Sequence, residues 1–253
     1  MKGFIFRFIK DVGGVIGMLY AILSFLGIFI MYTFEILALK FISVSLVSFL
    51  LYSSGIITIV LGCIFLKELF NLEKLVSIIM VFLGVSIMFV SNTKVEGNIY
   101  GLIFALIAGT GYALFLFFVK KFNIESGLKT LFYLFLFGSI YLLIPLLLFS
   151  EINLIKEGII YIFALAVIPT VGGFYFTNKA LNLIEAGKVQ LFEMTEPFFA
   201  TLLAYIVLSQ VITIYDFISG FVIMIGLLIL EMKNIKSVIF TKENKLIKNY
   251  TEK

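Results

Sequence analysis

Two carboxylates stand close together inside a long apolar stretch of the chain. Glu193 and Glu196 are three residues apart, and Pro197 follows directly. Residues at this spacing share one face of a helix, and the proline leaves the carbonyl of Glu193 without its usual backbone donor. In an apolar environment a carboxylate can carry a proton, and a freed carbonyl can accept a hydrogen bond from a ligand. These three residues are the first candidates for proton transfer or ligand binding.

A simpler interpretation is that the two acids only fasten helices together. In that case Glu193 and Glu196 would hydrogen-bond to neighbouring side chains such as Asn178 or Asn182. Glu196 lies about ten residues, or roughly 15 Å, beyond the start of its apolar stretch, which is the middle of a bilayer. A charge there costs at least about 2.5–3.5 kcal/mol, so such acids usually face a cavity or a partner. This cost favours a functional role for Glu196.

Several kinds of chemistry are excluded by composition. The chain has no His, a single Cys at position 63, and Asp only at positions 11 and 216, near the ends of apolar stretches. Nucleophiles activated by His, metal sites that need His, and an intramembrane aspartyl pair therefore cannot be assembled. We expect no enzyme, no metal and no cofactor. Transport of a small molecule is the better class.

Eight apolar stretches separated by short charged connectors must position these residues. Hydrophobic residues make up 62% of the chain and charged residues 13%, and the mean hydropathy is +1.18. A bilayer core needs roughly 20 helical residues per crossing. The sequence therefore predicts an all-α polytopic membrane protein, embedded in the lipid bilayer, with about eight transmembrane helices. The predicted spans are residues 12–36, 43–66, 75–92, 98–119, 130–150, 158–178, 187–209 and 214–231.

Lysine and arginine predict the orientation of these spans. If the N-terminus is cytoplasmic, all but three of the 19 basic residues fall on the cytoplasmic side, the exceptions being Lys40, Lys94 and Lys156. Basic loops are retained in the cytoplasm, so we predict a multi-pass protein of the plasma membrane with both termini inside. The first ten residues are too short for a signal peptide and are expected to lie along the inner surface. Topology explains the basic pI near 9.0, and no nucleic-acid partner is expected.

An internal repeat is visible when residues 38–90 are laid on residues 180–232 without a gap, an offset of 142 positions. Matching pairs include Val47 with Val189, Leu66 with Leu208, and Gly84 with Gly226. Five crossings separate the two copies, so they insert with opposite orientation. Inverted repeats are typical of secondary transporters, which bind substrate near the membrane midplane at the repeat interface.

Short motifs in both copies resemble EamA-type proteins of the drug/metabolite transporter superfamily. Residues 196–205, followed by Gly220 and Gly226, are similar to the closing hairpin of that family. Leu66-Lys67-Glu68 followed by Gly84 resembles its motif of a Glu after a long helix, and residues 97–121 resemble its sixth helix. Gln210 stands where a second such Glu is usual. The resemblance extends over nearly the whole chain.

The resemblance implies two inverted copies of five helices, of which the first is incomplete. Residues 1–92 are predicted to be a partial first repeat, residues 97–233 the second repeat, and residues 234–253 a basic cytoplasmic tail. A leading helical hairpin is expected to be missing from the first copy, either because the chain starts internally or because it is a shortened member.

The resemblance also implies a secondary transporter, that is, a permease or exporter of a small organic metabolite such as an amino acid. It would work without ATP, and Glu196 is the predicted site of proton coupling. One alternative is a lipid-carrier translocase of the same superfamily. Another is a non-transporting or partner-dependent membrane subunit, and a homodimer or a small helical partner is conceivable.

Five further residues are weaker candidates for the substrate or proton pathway. Each has a simpler explanation: an interfacial acid and tyrosine on the first span, the basic end of the sixth span, and close helix packing on the fourth. Lys67 and Glu68 are expected to form an interfacial ion pair. The five candidates are Tyr32, Glu35, Tyr112, Tyr175 and Asn178.

Overall fold

The computed structural model describes residues 14–42, 44–53, 55–92, 98–149, 158–208, 213–215 and 217–230, and its regular structure there is helical. The predicted N-terminal surface segment and the basic tail lie outside these residues. In chain order the helices are α1 Val15–Leu39, α2 Val44–Ser53, α3 Gly55–Phe65, α4 Leu72–Asn92, α5 Ile99–Lys121, α6 Leu128–Phe149, α7 Gly158–Leu183, α8 Ala186–Glu193, α9 Glu196–Leu208 and α10 Phe217–Leu230.

The helices confirm an all-α multi-pass membrane protein. Within the described residues, five helical stretches are long and apolar enough to cross a bilayer, namely Val15–Leu39, Leu46–Phe65, Ile99–Lys121, Leu128–Leu148 and Gly158–Leu183. Each predicted span coincides with helix, the second with α2 and α3 and the seventh with α8 and α9. The largest difference is at α7, which continues to Leu183 rather than residue 178. Polar residues at a membrane boundary do not end a helix, and α7 stops only where Ile184 becomes extended.

Two helices begin at asparagines that the sequence places just before apolar stretches. The side-chain oxygen of Asn71 accepts a hydrogen bond of 2.9 Å from the backbone of Lys74, and that of Asn98 accepts one of 2.9 Å from Tyr100. Asparagine is a preferred N-cap because its side chain satisfies a backbone donor that the first turn leaves unpaired. These caps fix the starts of α4 and α5.

The helices form two compact units that do not follow the predicted repeats. The first unit contains residues 1–68 and 95–190, and the second contains residues 69–94 and 191–253. Each unit therefore combines helices from both predicted copies.

In the first unit, α5 is the central helix, and α1, α2 and α3 pack against it. Small residues on α5 permit this close approach: Gly101 lies against Ile42, and Gly111 lies against Ile30. α6 packs on the first half of α1, and the end of α7 contacts both α5 and α6. The core where these helices meet includes Leu23, Phe115, Leu116, Leu134, Leu181 and Val189.

In the second unit, α4 and α10 cross antiparallel through a reciprocal contact. A Cβ at Gly84 would lie 2.8 Å from the carbonyl of Ser219, and a Cβ at Gly226 would lie 3.2 Å from the carbonyl of Ser77. Ser77 corresponds to Ser219, and Gly84 to Gly226, at the offset of 142 positions seen in the sequence. Equivalent residues of the two copies therefore contact one another across a local pseudo-two-fold axis, as an inverted repeat requires.

Candidate functional site

A cavity of about 840 Å³ lies in the first unit, between the second half of α1 and the last turns of α6. This volume falls within the usual range for a small-molecule site, about 300–1,000 Å³. Its lining residues are Thr33, Ile36, Leu37, Lys40, Ser139, Leu142, Leu143, Pro145 and Leu146.

Few polar groups interrupt the aliphatic lining. The hydroxyl oxygen of Thr33 is buried and has no hydrogen-bond partner among the described residues. Ser139 provides a second hydroxyl, and Lys40 is exposed where α1 ends. Pro145 lies inside α6, so the carbonyl of Tyr141 has no helical donor. A bound molecule could therefore find hydrogen-bond donors, one cation and a long apolar surface.

The opposite halves of α1 and α6 are tied together. The hydroxyl of Ser24 donates to the carbonyl of Leu134 at 2.8 Å, and the hydroxyls of Tyr20 and Thr130 are 3.2 Å apart. The rings of Tyr20 and Tyr133 are stacked, with centroids 5.3 Å apart. α1 and α6 are thus joined at one end and separated by the cavity at the other.

The joined end also carries two side chains that connect helix ends. The ammonium group of Lys120 donates to the carbonyl of Leu181 at 2.7 Å, which connects the ends of α5 and α7. The side chain of Asn182 donates to the carbonyl of Ile124 at 3.0 Å, in the connection between α5 and α6. The helix ends that meet here are the ones that the distribution of basic residues predicts to be cytoplasmic.

Two helices of the first unit contain wide, π-helical turns at corresponding positions. In α1 these turns cover Phe25–Ile30, and in α7 they cover Ala166–Gly172. Adding 142 to residues 25–30 gives residues 167–172, so the segments match within one residue. π-helical turns are frequent at functional sites, and irregular segments at equivalent positions of two repeats point to a transporter's binding site. The wide turns of α1 lie between the joined end and the cavity.

The helix predicted over residues 187–209 is interrupted beside Glu193 and Glu196, in the second unit. α8 ends at Glu193, and α9 begins at Glu196. Thr195 occupies the break: its hydroxyl donates to the carbonyl of Phe192 at 2.6 Å, and its carbonyl accepts from Phe198 at 3.0 Å. Pro197 is the second residue of α9, where a missing N–H is tolerated. The two carboxylates therefore flank a break in the helix.

The sequence matches a known family over most of its length. A model of the EamA-like transporter family matches residues 3–90 and 99–232. The chain belongs to the EamA-like transporter family. It is a membrane transporter by this membership, and neither the substrate nor the driving force follows from it.

Two further similarities agree with the family. An "uncharacterized transporter" of Archaeoglobus fulgidus is 23% identical over 195 residues, which cover 77% of this chain and 69% of the relative. A solved structure, titled only "Crystal structure of protein", has a TM-score of 0.73 at 13% identity and covers 84% of this chain and 75% of its own. The structural similarity concerns the fold alone.

In this EamA-like protein, the Glu of the first family motif has a role that sequence analysis missed. The carboxylate of Glu68 accepts a hydrogen bond of 2.9 Å from the backbone N–H of Ala186, the first residue of α8. A Cβ at Gly62 would lie 2.5 Å from the same carboxylate, so only glycine leaves room for it. Capping a helix start stabilises it more than a surface ion pair would.

A second polar contact joins α3 to α8. The hydroxyl of Thr58 donates to the side-chain oxygen of Gln190 at 3.3 Å, and both residues are buried. A Cβ at Gly55 would lie 2.6 Å from the Cγ atom of Gln190. Thr58 in α3 and Glu68, three residues after α3 ends, therefore both hold α8 in place.

We expect Glu68→Ala to destabilise this EamA-like protein by about 1 kcal/mol, because the start of α8 loses its cap. Glu68→Gln keeps a hydrogen-bond acceptor and should therefore destabilise the protein less. The midpoint of thermal unfolding in detergent would measure both variants, with Lys67→Gln as the control at the neighbouring exposed position. Equal midpoints for Glu68→Ala and Lys67→Gln would contradict the capping role.

The remaining predicted residues of α5 and α7 lie around the core of the first unit. Asn178 is fully buried, and its amide donates to the carbonyl of Phe174 at 2.7 Å. Tyr175 is half-buried, with the ammonium group of Lys179 5.8 Å from its ring centroid. Tyr112 packs against Phe115, with ring centroids 6.0 Å apart. None of these residues is among those that line the cavity.

Tyr32 and Glu35 are half-buried on α1, beside the cavity-lining residues of the same helix. Tyr32 packs against the core of the first unit. The lining residues Thr33 and Lys40 were not predicted as site residues. Their spacing of seven positions places them on one helix face, a signal that becomes meaningful only once α6 is known to lie opposite.

Proposed function

We propose that this EamA-like protein is a secondary transporter of a small organic metabolite, of the size of an amino acid or somewhat larger. The arrangement of α1 and α6 carries this proposal: they are tied at one end by Ser24 and Tyr20 and line an open cavity at the other. A carrier needs a binding site that is closed towards one side of the membrane while it is accessible from the other. The matched wide turns of α1 and α7 support a change of shape in the same helices.

Proton coupling through Glu196 is part of the proposal. Glu196 is exposed at the start of α9, and Glu193 is half-buried at the end of α8. A carboxylate at a helix break in an apolar segment can gain and lose a proton when its surroundings change. Pro197 supports this role because it prevents the two helical segments from fusing into one regular helix.

We further propose that the protein lies in the plasma membrane with both termini in the cytoplasm. The gathering of Lys120, Lys121, Lys129 and Lys179 at the ends of α5 and α7 and the start of α6 supports this orientation, since basic ends are retained inside. The cavity would then face the outer side.

Flux through proteoliposomes tests the proposed function. The purified chain would be reconstituted with a luminal pH dye and offered a panel of amino acids, organic acids and small amines. We expect selective uptake of one class, with acidification or alkalinisation of the lumen in proportion to uptake. A folded, monodisperse protein that moves none of these compounds, with or without a pH gradient, would contradict it.

A partner-dependent membrane subunit is the second candidate, and α7 favours it. No residue from Gly158 to Gly173 is buried against the described parts of the chain, although this segment includes the wide turns. A helical partner or a second copy could cover it. Purification in a complex of fixed stoichiometry, together with flux that appears only in that complex, would decide for this candidate.

A further inference from the structure

We propose that the cavity between α1 and α6 binds an organic anion in which a carboxylate stands at one end of an apolar body. This inference rests on the proposed function, because it assigns a substrate class to the cavity described above. The proposed ligand differs from an amino acid in one respect, because it has no ammonium group beside its carboxylate.

The charge of the cavity lining favours an anionic ligand. Among the described residues that line the cavity, Lys40 is the only one with a charged side chain. A cationic ligand would be repelled by Lys40. A zwitterion would bring its ammonium group against lining residues that, in the described part of the chain, include no anion to balance its charge. An anion is the species that the lining matches.

The positions of the polar groups along the cavity indicate the shape of the ligand. Thr33 and Lys40 are seven residues apart on α1, which corresponds to about 10 Å along the helix axis. Lys40 is exposed at the end of the helix, whereas the hydroxyl oxygen of Thr33 is buried and has no partner within the described residues. Side chains such as Ile36 and Leu142 line the cavity between these levels. The ligand therefore has an anionic end near Lys40, an apolar middle, and room for a polar group near Thr33.

The absence of Trp from the chain permits a direct binding measurement. An indole ligand can be excited without a protein tryptophan background, and its ring N–H supplies the polar group for Thr33. Four probes share the indole body and differ in the other end: indole-3-propionate, its neutral amide, the cation tryptamine, and zwitterionic tryptophan. Fluorescence anisotropy would be recorded with the full chain in nanodiscs of zwitterionic lipid and with no ion gradient.

We expect indole-3-propionate to bind more tightly than the amide, and tryptamine and tryptophan to bind least. Lys40→Gln should weaken indole-3-propionate by about three- to fivefold, the size typical of an exposed charge, and leave the amide unchanged. Lys40→Arg should restore the preference. Thr33→Val should weaken the anion and the amide equally, and Lys129→Gln, which removes an exposed lysine outside the cavity lining, should change neither.

Two results would overturn the proposal: tryptamine or tryptophan binding as tightly as indole-3-propionate, or an unchanged preference for the anion in Lys40→Gln. Competition separates two sources of such an anion. Displacement of the probe by oleate but not by 3-phenylpropionate indicates an acyl anion from the membrane, and displacement by 3-phenylpropionate indicates a water-soluble acid. Because binding is measured without flux, a protein that binds the anion but transports nothing would refute the proposed transport and leave this site intact.

Discussion

Replacing Gly84 by alanine is expected to destabilise the second unit by about 1–3 kcal/mol, the usual cost of overpacking a tight contact. The new Cβ would lie 2.6 Å from the Cγ1 atom of Ile223 and 2.8 Å from the carbonyl oxygen of Ser219. A side chain can turn away, but the backbone of α10 cannot move without shifting the whole helix. The expected result is a lower midpoint of thermal unfolding in detergent.

The control for Gly84→Ala is the equivalent glycine of the other copy. A Cβ at Gly226 would lie 3.0 Å from the Cβ atom of Met80 and 3.2 Å from the carbonyl oxygen of Ser77. These contacts are tight, yet a shift of a few tenths of an ångström relieves them, so Gly226→Ala should cost less than half as much. If Gly226→Ala lowers the midpoint as much as Gly84→Ala or more, the crossing of α4 and α10 differs from the one described.

Replacing Glu196 by glutamine is expected to abolish uptake driven by a pH gradient, a loss of about a hundredfold or more if this carboxylate carries the proton. Glutamine has nearly the same shape but cannot release a proton at neutral pH. Membrane insertion and folding should be unaffected, and exchange of labelled for unlabelled substrate at equal pH should persist. Comparing gradient-driven uptake with exchange in the same proteoliposomes would measure the coupling itself.

Glu125→Gln is the matched control, since Glu125 is an exposed acid in the connection between α5 and α6. It should leave both uptake and exchange unchanged. Gradient-driven uptake that survives in Glu196→Gln would remove Glu196 from the mechanism. Loss of both uptake and exchange would instead indicate a role in substrate binding or in the fold.

The helices could be predicted because apolar runs and charged connectors decide where a chain can cross a bilayer. The break between α8 and α9 is not part of that prediction: the sequence predicts one span over residues 187–209, and Pro197 predicts only an unpaired carbonyl at Glu193. Gly84 and Gly226 were paired from the sequence alone, and the structure adds that each faces the helix of the other copy. These features depend on local composition and on the repeat.

The cavity could not be predicted, because its polar residues are far apart in the sequence. Thr33 and Lys40 on α1 meet Ser139 and Pro145 on α6 only through the packing of two parallel helices. The sequence identifies Lys40 only as one of three basic residues that fall on the outer side. The contact between Glu68 and the backbone of Ala186 could not be predicted either, because the two residues are 118 positions apart in the sequence.

Only one of the two wide segments could be predicted from the sequence around it. Pro169 gives α7 a local reason for its irregular segment. In α1 the corresponding segment has no proline, and its clearest feature is Gly27, where a Cβ would lie 2.5 Å from the ring of Phe115. That contact with α5 exists only in the folded chain.

The wide segment of α1 also sets the rotational phase of the helix. Residues nine apart, such as Ser24 and Thr33, would point in roughly opposite directions on a regular helix, which advances about 100° per residue. A π-helical turn takes up about one extra residue, and this reduces the angle between them to about 80°. Ser24 can therefore reach α6 while Thr33 lines the cavity against the same helix. Deleting one residue within Phe25–Ile30 would give a regular helix in which Thr33 keeps this angle to Ser24, whereas a regular helix of the present length would turn Thr33 and Lys40 away from α6.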